Sequence, residues 1–409
     1  MTEARVWWHV YPLGFTGAPA TRDGGPHLPR LRQLIDWLDH ARDLGATGLL
    51  LGPVFDSATH GYDTLDHLRV DPRLGAEADL VALVAACHER GLQVALDGVF
   101  NHVSDRHPTV VEAREAGFTG PAAAWLRLRH GADGPHPEVF EGHATLVALD
   151  HANPEVAAYV TRVMNHWLDR GVDGWRLDAA YAVAPERWAP ILDGVRARHP
   201  DAWVFGEVIH GDYADVVARS GMDSVTQYEL WKATWSSITD RNFFELDWTL
   251  ARHNGFLETF VPQTFVGNHD VTRIATTLGP DGAVVALAIL MTVGGVPSVY
   301  YGDEVGWTGL KEHRPGGDDA IRPPYPADPG LLTGDERVHR AHRELIALRR
   351  ARPWLMTATT RPLELSNTRY RYRAEAADGG AALEVELDVT GAARATVRDD
   401  GAVLWQSTT

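Results

Sequence analysis

Apolar and polar positions along the chain fall into two alternating patterns. Short apolar runs, bounded by glycine or by a carboxylate, occupy residues 6–11, 48–51, 92–97, 172–178, 203–206, 222–226, 263–267 and 298–301. Longer stretches with apolar residues at helical spacing lie between most of them, at 31–44, 77–90, 153–171, 185–198, 247–260 and 282–292. Runs that are apolar throughout suit parallel strands buried on both faces, and the helices between them supply the crossovers such strands need. Eight strands in alternation with helices predict an α/β fold, a (β/α)8 TIM barrel.

Two segments break the rhythm. Residues 104–150 are rich in Gly, Ala, Pro and His and are too long for an ordinary βα loop. They predict a small, irregular subdomain inserted after strand three, over the barrel mouth. After a helix at 337–350 the period changes to two, at 361–368, 370–375, 382–389 and 395–405, with turn signals Asp378-Gly379-Gly380 and Asp399-Asp400-Gly401. The expected organisation is a barrel at 1–103 and 151–352, an insert at 104–150 and a small antiparallel β domain at 353–409.

Composition narrows the partners. Hydrophobic content of 44% and charged content of 23% are those of an ordinary globular protein. A formal charge of −17 argues against nucleic acid and against an anionic membrane surface. Cys87 is the only cysteine, so no intramolecular disulfide is expected. No apolar run reaches the ~18 residues of a membrane span; the longest, 283–296, contains Gly294 and Gly295. Residues 1–6 lack the apolar core of a signal peptide. A cytoplasmic protein with a small-molecule substrate is the expectation, and nothing in the pattern speaks to an oligomeric state.

The chemistry is concentrated where strands end, which in this barrel is the functional face. Strand three ends Asp97-Gly98-Val99-Phe100-Asn101-His102, strand four Arg176-Leu177-Asp178, strand five Gly206-Glu207, and strand seven Gly267-Asn268-His269-Asp270. Arg176 and Asp178 are two apart and point to the same side of their strand. Alone, that pair fits a structural ion pair as well as a site. Carboxylates at neighbouring strand ends decide it, because like charges converging on one mouth destabilise a barrel that does not use them. Such a set suits glycoside cleavage with retention, in which one carboxylate attacks and a second carboxyl keeps its proton beside neighbouring negative charge. No phosphate-cradling glycine loop or dinucleotide fingerprint accompanies these residues.

These segments, in this order, resemble the four signature regions of the alpha-amylase family of glycoside hydrolases (family 13). His60-Gly61-Tyr62-Asp63 after strand two and Gly302-Asp303-Glu304-Val305-Gly306 after strand eight match further family segments. The resemblance covers residues 5 to about 350. It implies that Asp178 is the nucleophile, Glu207 the acid/base, and Asp270 the holder of sugar hydroxyls. It further implies that Arg176 orients Asp178, that His102 and His269 bind hydroxyls, that Tyr62 is a platform for the sugar ring, and that Asp97 supports Arg176 or His102. Where classical members continue the nucleophile segment with Lys-His, this chain has Tyr181-Ala182. Asn101 matches a calcium ligand in name without its neighbouring support, so no metal and no cofactor is expected. Val208-Ile209-His210 looks more like the neopullulanase and cyclomaltodextrinase branch. Asp63 is expected to pair with Arg322 and close the pocket floor.

The implied function is retaining hydrolysis of α-glucosidic bonds in short maltooligosaccharides or related α-glucans. Interception of the same glycosyl-enzyme by a sugar or by phosphate, as in a transglycosylase, a trehalose-synthase-like isomerase or a phosphorylase, is the alternative. A catalytically inactive carbohydrate-binding relative stands further off, since the three carboxylates are present.

Overall fold

The computed structural model describes residues 5–22, 28–314 and 316–408. Residues 1–4, on which the reading of the N-terminal segment partly rests, lie outside them. Eight parallel strands form one sheet: β1 Trp7–Val10, β2 Gly48–Leu51, β3 Gln93–Gly98, β4 Gly174–Leu177, β5 Trp203–Gly206, β6 Ser224–Val225, β7 Gln263–Phe265 and β8 Val296–Tyr300. Each pairs with its sequence neighbours, and β1 pairs with β8. Between β6 and β7 a single parallel bridge, Thr226 to Gln263, closes the ring, with the Gln227 amide donating to the Gln263 carbonyl at 2.8 Å. The fold is therefore the (β/α)8 barrel expected from the apolar rhythm.

Alternation along each strand separates two cores. Outward residues such as Trp8, Leu49, Val94, Leu96, Trp175, Leu177 and Val204 join the large cluster under the helices. Inward residues Trp7, Leu50, Ala95, Trp203, Phe205 and Val296 form a smaller cluster inside the barrel, where Trp7 stacks on Trp203 at 5.5 Å. Gly48 makes room for this stack, since a Cβ there meets the Trp7 ring at 2.5 Å. With the lower lumen packed by aromatic rings, the polar inward residues His9, Asp97 and Arg176 lie one step further along their strands. The site is thereby raised to the mouth.

Several elements differ from their sequence pattern. The stretch at 31–44 is not one helix: Gln33–Asp36 and Leu38–Leu44 are separated at Trp37, whose indole N–H donates to the Pro326 carbonyl at 3.0 Å. Tertiary packing of the ring outweighs local continuity. The apolar stretch at 282–292 extends to Ile274–Thr292, interrupted at Gly279, where φ is +68°. That 19-residue helix is long and apolar enough to cross a membrane, and 67% of its most apolar window is buried inside the protein. Residues 104–150 carry more regular structure than expected, including the helix Pro108–Glu115 and a hairpin of Leu128–Gly131 with Gly134–Pro137. Leu146–Ala148 pairs with His102–Ser104, which ties this segment to the end of β3.

At the C-terminus five antiparallel strands, β9 Thr359–Leu365, β10 Arg369–Glu375, β11 Ala382–Asp388, β12 Arg394–Asp399 and β13 Ala402–Gln406, form a sheet in sequence order. Its apolar face continues the large core, and Tyr372 Oη lies 2.6 Å from Thr292 Oγ1.

Candidate active site

Parallel register builds the site from its base. Arg176 on β4 lies opposite Asp97 on β3, so the two inward side chains meet across one ladder step. Arg176 Nη1 contacts both Asp97 oxygens at 2.7 Å and Asp178 Oδ1 at 3.2 Å, while Nη2 contacts Glu207 Oε1 at 3.0 Å. One guanidinium therefore gathers three carboxyl groups, and all four side chains are buried. Burial works against the charge on Arg176, but Asp97 and Glu207 outweigh it and hold the group firmly protonated. Burial pushes Asp178 well above the usual carboxylate range; Arg176 opposes this, while Glu207, Asp97 and Asp270 add to it. Asp97 is pushed up for the same first reason.

Asp178 is followed by Ala179 in the left-handed region, with φ +46°, an uncommon conformation for a residue bearing a Cβ. The turn aims the Ala179 amide at Glu207 Oε2, 3.0 Å away. Tyr228 Oη donates to Glu207 Oε1 at 3.1 Å. Glu207 thus receives a main-chain donor on one oxygen, and a tyrosine hydroxyl and the Arg176 cation on the other.

Asp270 stands on the opposite wall. Its carboxylate meets His269 Nε2 at 2.8 Å and Arg322 Nη2 at 2.9 Å, and a third of its side chain is exposed. Burial raises this carboxyl, but His269 and Arg322 outweigh burial and hold it well below the usual range. Tyr62 lies parallel to the His269 ring at 5.3 Å, and Tyr11 lies on the imidazole at 5.9 Å. Tyr62 Oη bonds to Asp97 at 3.0 Å and to His269 Nε2. His102 Nε2 faces the Tyr62 carbonyl at 3.1 Å and its ring stacks on Phe140 at 4.7 Å. Burial pulls His102 down to about 4, so it is neutral at physiological pH.

The inserted segment reaches the mouth through Phe140 and Glu141. Glu141 sits at φ +47°, and its carboxylate accepts from Tyr181 Oη at 2.5 Å. Tyr181 also packs on His210, with ring centroids 5.7 Å apart. The positions where classical relatives carry Lys-His are therefore walled by an aromatic ring and a carboxylate.

The family model described as alpha amylase, catalytic domain, matches residues 9–337. This chain belongs to the alpha-amylase family. It is similar to a cyclomaltodextrinase of Geobacillus thermopakistaniensis (strain MAS1), 30% identical over 373 residues that cover 84% of this chain and 62% of the relative. It is also similar to a maltogenic alpha-amylase of Bacillus acidopullulyticus, 29% identical over 333 residues covering 74% and 56%. The chain spans about three fifths of the length of these curated relatives. Among solved structures it resembles a cyclic alpha-maltosyl-(1→6)-maltose hydrolase from Arthrobacter globiformis, in complex with that sugar. The TM-score is 0.82 at 25% identity, over 94% of this chain and 90% of the other.

Asp97, Asp178, Glu207, Asp270, Arg176, Tyr62, His102, His269 and Arg322 all meet at the mouth of this alpha-amylase barrel. Asp97 supports Arg176 and not His102. The Asp63–Arg322 pair is not formed. Asp63 is buried and accepts from the Thr59 amide at 3.0 Å and the Thr59 hydroxyl at 2.6 Å, which closes its own turn. Arg322 lies over the Tyr11 ring, 4.6 Å from its centroid, held by Asp270 and by Asp318 at 3.0 Å. A one-turn contact needs no long-range partner, whereas Arg322 finds two carboxylates closer at hand.

Asn101 Nδ2 lies 3.1 Å from His102 Nδ1. Among the described residues no group of three or more His, Cys, Asp or Glu side chains is placed to hold a metal ion. Sequence reasoning missed His9, Tyr11, Phe140, Glu141, Tyr228 and Asp318. Only Tyr11, at a strand end, carried a positional signal; Tyr228 opens the helix after β6, and the others arrive through loops or through a lumen position whose direction depends on barrel closure.

Proposed function

We propose that this chain is a retaining α-glucan hydrolase that cleaves short maltooligosaccharides and cyclomaltodextrins by double displacement. The observation that carries the reading is the single guanidinium of Arg176 holding Asp178 and Glu207 on adjacent nitrogens. Retention calls for two carboxyls ~5–5.5 Å apart, inversion for a wider gap, and the shared guanidinium favours the narrower arrangement. The names of the relatives support the substrate class.

Asp178 attacks the anomeric carbon as Glu207 gives its proton to the leaving oxygen; Glu207 then deprotonates the water that releases the sugar. Asp97 and Asp178, both pushed up by burial beside one cation, do not ionise independently of each other. Positive charge developing at the anomeric carbon favours ionised Asp178, the form that attacks. Asp270, held ionised by His269 and Arg322, accepts from sugar hydroxyls. The Tyr62 ring packs against the sugar face, and His102 braces Tyr62 through its carbonyl.

Incubation with maltotriose and a cyclomaltodextrin, followed by NMR of the first product anomer, tests the reading. The α-anomer is expected first. Asp178→Asn is expected to lower turnover by roughly a thousandfold or more while leaving the fold intact. Initial release of the β-anomer, or undiminished turnover in the variant, overturns it.

A further inference from the structure

We propose that Tyr228 is a positioning residue that confines the transferable proton of Glu207 to one oxygen, Oε2; this rests on the acid/base role of Glu207 given above. A carboxyl oxygen has two lone pairs. Oε1 accepts from Tyr228 Oη at 3.1 Å and faces the Arg176 cation, with Nη2 3.0 Å away. Among the described residues Oε2 receives only the Ala179 amide, at 3.0 Å, and keeps one lone pair. Arg176 keeps its proton, so its positive charge beside Oε1 is permanent and disfavours a proton on that oxygen. Tyr228 adds a donor on the same oxygen, and the acidic proton sits on Oε2.

The direction of the tyrosine hydroxyl is set by the segment that follows β7. The Asp270 amide donates to Asn268 Oδ1 at 2.8 Å, which fixes the side-chain amide with its nitrogen facing Tyr228. Asn268 Nδ2 then donates to Tyr228 Oη at 3.1 Å. With an N–H directed at its oxygen, the hydroxyl turns its own proton to Glu207. Tyr228 is nine-tenths buried, its ring set edge-on to Phe265 at 4.9 Å, so its Oη is held in place by packing. The chain Asp270–Asn268–Tyr228–Glu207 ties the residue that holds the sugar to the residue that protonates it.

In the first step the Oε2–H proton passes to the glycosidic oxygen, the C1–O bond breaks with its electron pair on that oxygen, and Asp178 bonds to C1. In the second, water attacks C1, the Asp178 ester bond breaks, and the water proton returns to Oε2. With Oε1 open, a proton resting there is not aligned with either transfer.

Leaving-group dependence reads this directly. α-Glucosyl fluoride departs without acid assistance, whereas the sugar leaving group of maltotriose needs it. Tyr228→Phe is expected to lower kcat/KM on maltotriose about tenfold, through kcat with KM little changed, and on the fluoride by less than about twofold. Asn268→Ala is expected to show the same selectivity with a smaller loss, and it keeps the test open should Tyr228→Phe fold poorly. Glu207→Gln tests the reading beneath. An unselective loss there overturns the acid role itself. A selective loss in Glu207→Gln together with an equal loss on both substrates, or none, in Tyr228→Phe overturns the role of Tyr228.

Discussion

Asp178 illustrates how a single residue sets function against stability. Its carboxyl is pushed up by burial and by three neighbouring acids, so its folded pKa lies above its unfolded one. Such a group contributes stability below the unfolded value of about 3.9 and loses it as pH rises through the folded value. At neutral pH its charge opposes folding. Asp178→Asn is therefore expected to melt at a higher temperature than the parent near pH 7, with the margin shrinking towards pH 4. A lower melting temperature at both pH values counts against this account. Asp63 makes the opposite case. Its two bonds to Thr59 close a local turn, so Asp63→Ala is expected to cost about 1 kcal/mol in denaturant unfolding, by leaving partly buried donors unmatched. A stable variant with altered product lengths would instead restore the pocket-floor role expected from sequence.

At the scale of elements, the strands deliver the carboxylates and the loops decide what surrounds them. The inserted segment places Phe140 flat on His102 and Glu141 on Tyr181, two contacts from residues whose own sequence gives no hint of the barrel mouth. Phe140→Ala removes one stacked ring worth about 0.5–1.5 kcal/mol, so KM for maltotriose is expected to rise roughly twofold to tenfold with kcat within about threefold. A collapse of kcat with KM unchanged would place Phe140 in the chemistry and not in the wall. The broken helix at Trp37 belongs to the same scale. Helical spacing runs through residues 31–44, yet the indole's bond to Pro326 and its ring contact with Tyr325 at 4.3 Å outweigh one turn of continuity.

For the whole molecule, acid is the expected weakness. His67, His102, His107, His253 and His342 are each pulled down to about 4, in every case first by burial. Their folded values lie below the unfolded value of about 6.5, so they stay neutral in the fold and take up protons on unfolding. Stability is therefore lost as pH falls from about 6.5 to about 4, at up to about 3 kcal/mol for each group. Lowered Asp270 adds a loss at still lower pH. Urea midpoints measured across this range should fall steeply, and a flat profile sinks the prediction.

What the sequence determined is periodic or local. Eight apolar runs in alternation with helices specify a parallel sheet covered on both faces, and a barrel of eight strands closes it. Closure then sends the ends of β3, β4, β5 and β7 to one mouth, so Asp97, Arg176, Asp178, Glu207 and Asp270 were legible as a group from spacing alone. Partner choice was not. Whether Asp97 serves Arg176 or His102, whether Arg322 meets Asp63 or Asp270, and which hydroxyl reaches Glu207 each turn on ångström-scale distances between segments far apart in the chain. Spacing along a strand sets which way a side chain points; the packing of loops and helices around the closed barrel decides what it touches.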